Sequence, residues 1–341
     1  MVYRVLRHLC DPYVQLSNRT KLIILSSVVF FAVVFLIVLL ALLALGSSTS
    51  NRAKPTTKII LFGGYPDRIA STVELYYPYD RYSGKQLPIR MEPGREDHAG
   101  GVFTDRIVIT GGVSTGRRYS ETTVYFFLTN QSWVRGPSLN YRRRWAAGAV
   151  AAGQFYVCGG SFSGFSADDS CEVLDIKANR WSVLEEKMSA GRRGGEAVGT
   201  DRYLFVAGGE GRTTYLSSMD RFDTVDQVWK QMASMLEARF LFGFAKLGEH
   251  LFACGGRAGR ADDSCEKYFI EENRWSMDVS MSSPRQYFWM VNFNDNLIVM
   301  GGRTRSRTEL KTVETFNLTT GLWRQTHDLL VGREDYVAFA V

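Results

Sequence analysis

The chain has 341 residues and sets 41 Lys and Arg against 35 Asp and Glu, a formal net charge of +6 at pH 7. So small an excess gives nothing like a nucleic-acid-binding patch, and no nucleic-acid partner is expected. The sequence has no Cys-x-x-Cys, no His-Glu-x-x-His, no Gly-x-Ser-x-Gly and no phosphate loop, so it predicts no metal, no cofactor and no catalytic constellation.

Residues 1–21 read as a short cytoplasmic tail. Leu22 to Leu45 is 24 residues without a charge, with only Ser26 and Ser27 polar. At about 1.5 Å per residue a helix of this length crosses a hydrocarbon core of about 30 Å with some tilt. No amphipathic stripe marks it as a buried core helix. A cleaved signal peptide ending at Ala44-Leu45-Gly46 is the competing reading. The run exceeds the usual apolar length of such peptides, which favours an uncleaved signal-anchor. Arg4, Arg7, Arg19 and Lys21 precede it and Arg52, Lys54 and Lys58 follow, a weak bias towards a cytoplasmic N-terminus. Residues 46–57 read as a polar stalk.

From residue 58 onward the chain repeats. A glycine pair recurs at Gly63-Gly64, Gly111-Gly112, Gly159-Gly160, Gly208-Gly209, Gly255-Gly256 and Gly301-Gly302, at intervals of 48, 48, 49, 47 and 46 residues. Sixteen positions before every pair from the second on stands Arg95, Arg143, Arg192, Arg239 or Arg285. Trp133, Trp181, Trp229, Trp275 and Trp323 follow the same pairs by 20 to 22 positions. A short apolar run ends at each pair, and a run rich in small residues precedes it, as at Ala147 to Ala151. A third run follows a polar loop, and the tryptophan run comes last. That gives four short strands per period, separated by turns. Glycine removes a side chain where other groups must come close, and the tryptophan is expected to fill that space.

With a large residue seven places before each tryptophan (Phe126, Leu174, Phe222, Tyr268, Phe316), these features resemble the kelch repeat. The resemblance covers residues 58–341 and implies an all-β, six-bladed β-propeller, with repeats at about 58–93, 94–141, 142–190, 191–237, 238–283 and 284–331. The first copy departs from the pattern, having no tryptophan near Lys85. Gly332-Arg333-Glu334-Asp335-Tyr336 repeats Gly94-Arg95-Glu96-Asp97-His98. Residue 58 begins with a second strand that has no first. The closing strand 332–341 is therefore expected to complete the N-terminal blade and remove an open edge.

Cysteine falls at matched places. Cys158 and Cys254 precede glycine pairs, and Cys171 and Cys265 open the facing strand of the same repeats. The positions are neighbours across a hairpin, so Cys158–Cys171 and Cys254–Cys265 disulfides are expected, with a propeller outside the cytosol. A buried, unpaired small hydrophobe is the alternative. Asn130-Gln131-Ser132 and Asn317-Leu318-Thr319 are glycosylation acceptors in the turn between third and fourth strands. The expectation is a type II single-pass membrane protein, anchored by residues 22–45, with the propeller extracellular or lumenal. Inverted topology, with a cytosol-facing scaffold, is the alternative.

Loops joining second to third strands, and fourth to the next first, leave one face of a propeller. That face gathers Arg95, Arg143, Arg192, Arg239, Arg285 and Arg333, together with Arg117, Arg118, Arg257, Arg303 and Arg305. Acidic residues such as Asp67, Glu96, Asp97, Glu309, Glu334 and Asp335 dilute it. In the family this face is the usual ligand surface, which implies a protein or acidic ligand as partner. The competing reading has each strand-start arginine holding its neighbouring blade. The resemblance also admits a carbohydrate-active enzyme, for which Arg95, Glu96 and Asp97 offer charged groups at the channel. Copper-oxidase chemistry is not expected, since of His98, His250 and His327 only His98 is on an inner strand.

Overall fold

The computed structural model describes residues 58–341 except 81–83, 115, 165 and 257–262. The tail, the apolar run 22–45, the stalk and Arg257 lie outside the described residues. Among the described residues no helix is long and apolar enough to cross a membrane.

Six antiparallel four-stranded sheets follow one another along the chain. The third is typical, with Ala147–Ala151 innermost, then Gln154–Cys158, Cys171–Asp175 and Arg180–Val183 outermost. Small residues suit the innermost strand, where neighbouring blades crowd at the axis. The second strand is covered on both faces by adjacent blades, which is why Ile59–Phe62 is an unbroken apolar run and fully buried. Buried clusters lie between blades. Phe205 and Met219 of blade 4, for example, pack with Phe242, Phe244, Tyr268 and Trp275 of blade 5.

The innermost strands touch in a closed cycle, from Ala99–Val102 of blade 2 round to Val337–Ala340 and back to Ala99–Val102. Val337–Ala340 pairs with Ile59–Phe62, Phe62 facing Val337 and Ile59 facing Ala340. Lys58 and Val341 exchange backbone hydrogen bonds of 3.3 and 2.9 Å just beyond. The C-terminal strand thus completes blade 1, as its sequence predicts, and no blade keeps an open inner edge.

The tryptophans do not sit where the repeat pattern suggests. Each faces its large partner across the third and fourth strands, as Phe126 faces Trp133 and Phe316 faces Trp323. The ring centroids of these two pairs are 4.9 and 5.3 Å apart. Space at the glycine pair is taken instead by the next blade's backbone. A Cβ on Gly111, whose φ is +69°, would lie 2.7 Å from the Arg143 carbonyl oxygen. Gly112 donates its N–H to that same oxygen at 2.7 Å.

Candidate functional site

The strand-start arginines stand at the blade junctions. Arg95, Arg143, Arg192, Arg239, Arg285 and Arg333 are all no more than 1% exposed. Each donates to the carbonyl of the first glycine in its own blade's pair, as Arg143 Nη1 does to Gly159 at 2.7 Å and Arg333 Nη1 to Gly63 at 3.2 Å. Its own carbonyl receives the N–H of the preceding blade's second glycine. Five of the six also meet a buried carboxylate from the third strand: Glu172, Asp220, Glu266, Glu314 and Glu74. The four glutamates also accept backbone N–H groups of the incoming loop, as Glu172 does from Asn140 at 2.6 Å and Glu266 from Leu236 at 2.6 Å, while Asp220 accepts from Ser189 Oγ at 3.0 Å. Arg95 has no such acid, because Val124, facing Ile109, occupies the equivalent position in blade 2. It donates to Thr122 O and Oγ1 at 2.9 and 3.0 Å, and burial pulls it down to about 10.

This corrects the expectation that these six arginines line an accessible ligand face. A guanidinium left bare in so dry a place would be costly, so the fold supplies it with carbonyls and carboxylates. The competing reading, in which each arginine holds its neighbouring blade, describes what is observed.

Two residues past each arginine the chain turns inward. Asp97, Trp145, Gly194, Leu241, Tyr287 and Asp335 all have φ between 55° and 60°, so five of the six hold a side chain in the left-handed region. That conformation costs a non-glycine residue about 1–2 kcal/mol. A closed ring of six backbone hydrogen bonds offsets the strain: Asp97 N–H donates to Asp335, Asp335 to Tyr287, Tyr287 to Leu241, Leu241 to Gly194, Gly194 to Trp145 and Trp145 to Asp97, at 2.8 to 3.2 Å. Glycine would fit the ring more cheaply. Side chains kept here despite the cost line the mouth of the central channel.

Below the ring lies a narrow cavity of about 40 Å³ lined by Asp97, Trp145, Glu196, Tyr287, Trp289 and Asp335 among others. Outside it two wider clefts of about 290 and 310 Å³ share Tyr65, Glu96 and Arg144. One extends over Asp67, Tyr119 and Arg117, and the other over Tyr287, Arg303, Arg307, Glu309, Glu334 and Asp335. The first is lined by blades 1 and 2 with Arg144 of blade 3, and the second reaches from blade 6 across blade 1 to Glu96 of blade 2 and Arg144 and Trp145 of blade 3.

Charge is balanced tightly inside this sector. Arg144 meets Asp97 at 2.5 Å and stacks 3.8 Å over Trp145, whose Nε1 donates to the same carboxylate at 2.6 Å. Arg303 lies 3.9 Å over Tyr287 and 3.1 Å from Glu334. The remaining acids are crowded by one another. Burial, followed by Asp97, pushes Glu96 up to about 7. Burial pushes Glu334 up to about 7 against the opposing pull of Arg303. Burial and then Asp97 hold Asp335 well above the usual carboxylate range. Glu196, enclosed by the channel walls yet partly open to its lumen, is pushed up to about 8 by burial. His98 is held down to about 3, first by burial and then by Arg95.

Of the other arginines read from the sequence, Arg117, Arg118 and Arg305 are exposed on the second-to-third loops, while Arg303 is half-buried in the cleft. Arg68, Arg212 and Arg307 are exposed on the same face. Sequence reasoning passed over the channel aromatics Trp145, Tyr287 and Trp289. A signal was available, because Trp145 and Trp289 are the two of seven tryptophans that stand off the repeat period.

The expected cysteine pairs are both joined. Cys158 faces Cys171 and Cys254 faces Cys265 across the hairpin, each at a Cα separation of 4.1 Å. Asn130 is exposed in its turn, its Oδ1 accepting from Ser132 Oγ at 2.9 Å. Asn317 instead ends a third strand, and its Nδ2 donates to Asn296 at 2.9 Å.

Known proteins share this repeat. The profile of the KLHDC2/KLHL20/DRC7 kelch-repeats domain matches residues 50–256, and that of the kelch motif matches residues 284–326. An F-box/kelch-repeat protein of Arabidopsis thaliana is 28% identical over 163 residues, 46% of this chain and 43% of the relative. The kelch repeat-containing protein kel-10 of Caenorhabditis elegans is 27% identical over 195 residues, 54% of this chain and 33% of its own length. Kelch-like protein 36 of Rattus norvegicus is 23% identical over 240 residues, 66% of this chain and 39% of its own. The chain thus spans less than half the length of these relatives. The solved structure of YjhT superposes with a TM-score of 0.61 at 16% identity, covering 71% of this chain and 86% of that one, a likeness of fold alone. With the double glycines, the junction arginines and the six closed blades in place, the chain belongs to the kelch-repeat domain family.

Proposed function

We propose that this protein is a binding module, not an enzyme, and that its partner docks on the loop face from blade 6 across blades 1 and 2 to the start of blade 3. Kelch propellers are generally protein-binding modules. The observation that carries the location is the pair of adjoining clefts, about 290 and 310 Å³, lined with tyrosine, tryptophan and charge on four consecutive blades. Loops on a rigid ring are suited to recognition, since they vary without disturbing the core.

The partner in this reading presents acidic groups. Arg68, Arg117, Arg118, Arg305 and Arg307 are exposed around the clefts, where guanidinium groups can hold carboxylates bidentately. The buried junction arginines take no part. A labelled octaglutamate peptide is the probe. It is expected to bind more weakly as salt rises, and to lose binding when Arg117, Arg305 and Arg307 are reversed together to Glu. Binding unchanged by that reversal would move the site elsewhere.

The same reading anchors the protein in a membrane by residues 22–45 with the propeller extracellular or lumenal. Two disulfides in one domain support an oxidising compartment. Protease protection with a glycosidase shift tests it. Protection of the propeller and a shift reduced in Asn130→Gln are expected, whereas digestion of the propeller in sealed membranes would invert the topology.

A further inference from the structure

Arg303 is held in the cleft by contacts that do not need Glu334. Its backbone exchanges hydrogen bonds with Gln286 at 2.8 and 3.1 Å, and its guanidinium lies 3.9 Å over Tyr287. The contact to Glu334 is looser: Nη1 donates to Oε1 at 3.2 Å, while Nε and Oε2 stand 3.1 Å apart without hydrogen-bond alignment. Glu334 is nonetheless only 3% exposed. Around it are Glu309, Asp97, Asp335, Glu96 and the phenol of Tyr287, with Arg307 across the same cleft. Like charge surrounds this carboxylate on most sides; of the cations lining the cleft, Arg144 is paired with Asp97, Arg307 stands across it, and Arg303 meets Glu334 in imperfect alignment.

We propose that Glu334 is an internal competitor for the anionic group of a partner at Arg303, and that it gives way by taking up a proton. This rests on the acidic-partner reading of the same face. The exchange is balanced: an ionised carboxylate of the partner pairs with Arg303, and a proton from solvent adds to a Glu334 carboxylate oxygen. Arg303 keeps its charge throughout. No bond between heavy atoms forms or breaks. Binding therefore tightens as pH falls through about 7, the value to which burial pushes Glu334.

The test uses the full-length protein in detergent and a fluorescein-labelled octaglutamate peptide, read by anisotropy at constant ionic strength. A single group titrating at about 7 gives wild-type protein about tenfold tighter binding at about pH 6 than at about pH 8. Glu334→Gln is expected to bind the peptide at about pH 8 as tightly as wild type does at about pH 6, with a pH change below about twofold. Salt-sensitive binding that is equal at both pH values in wild type would overturn the gate and leave the acidic-partner reading standing. Peptide bound by neither protein would overturn that reading, and the gate is then decided without a partner. The raised Glu334 contributes stability that is complete below its unfolded value near 4.5 and lost as pH rises through about 7. Wild type should therefore lose about 3 °C of Tm relative to Glu334→Gln between about pH 6 and about pH 8. His98 gives the opposite slope, but equally in both proteins. Parallel Tm profiles would overturn the gate.

Discussion

Two neighbouring sets of residues behave in opposite ways. The strand-start arginines repeat in all six blades, are buried, and donate to the first glycine's carbonyl each time. The next two residues vary around the ring, Glu-Asp alone occurring twice: Glu96-Asp97, Arg144-Trp145, Arg193-Gly194, Phe240-Leu241, Gln286-Tyr287 and Glu334-Asp335. Only the backbone of the second position repeats, as the left-handed ring around the channel. What recurs is what every blade junction requires. What varies one residue away surrounds a channel mouth that differs around the ring. Charge alone does not separate the sets, since both contain arginine. Their surroundings do.

The largest effect that would break this comparison is loss of closure. Removing residues 332–341 takes away Arg333 and strands the inner edge of blade 1, so aggregation is expected. A soluble, cooperatively melting truncation would contradict the closed ring.

Next come the arginines singly. Arg239→Ala leaves Glu266 buried without its cation and should cost about 3–5 kcal/mol in denaturant unfolding. Arg95→Ala strands only carbonyl and hydroxyl acceptors and should cost less, about 1–3 kcal/mol. Equal losses at the two sites would show that the carboxylates add nothing to the junction.

Replacing Cys158 and Cys171 together by Ser should cost about 2–4 kcal/mol. Non-reducing peptide mapping should recover both bridged pairs, and free thiols at all four positions would contradict them. The smallest effect belongs to the rim. Arg117→Ala with Arg118→Ala should change stability by less than about 0.5 kcal/mol while weakening octaglutamate binding. A large stability loss there would erase the distinction between junction and rim.

The repeat was legible because its residues serve the backbone. A glycine pair, an arginine sixteen places upstream and a duplicated Gly-Arg-Glu-Asp gave six blades and the closing strand. The cysteine pairs were legible from matched positions in two repeats. The depth of the arginines was not. Their partners, Gly159 O or Glu172 for Arg143, lie 16 and 29 residues away and become a pocket only when strands pair. The tryptophans were misplaced because a shared period does not say which neighbour a ring faces. The mouth was hidden for a related reason. Trp145, Tyr287 and Asp335 share only their place two residues after a repeat arginine, and it is the αL ring that brings them together.

A double-mutant cycle on Arg143 and Glu172 tests the central claim most directly. The two side chains meet at 3.0 Å and neither is exposed. Arg143→Met alone should cost about 3–5 kcal/mol, Glu172→Leu alone a comparable amount, and the pair less than their sum by about 2 kcal/mol or more. Single losses under about 0.5 kcal/mol that simply add would mean that the junction arginines do not hold the blades.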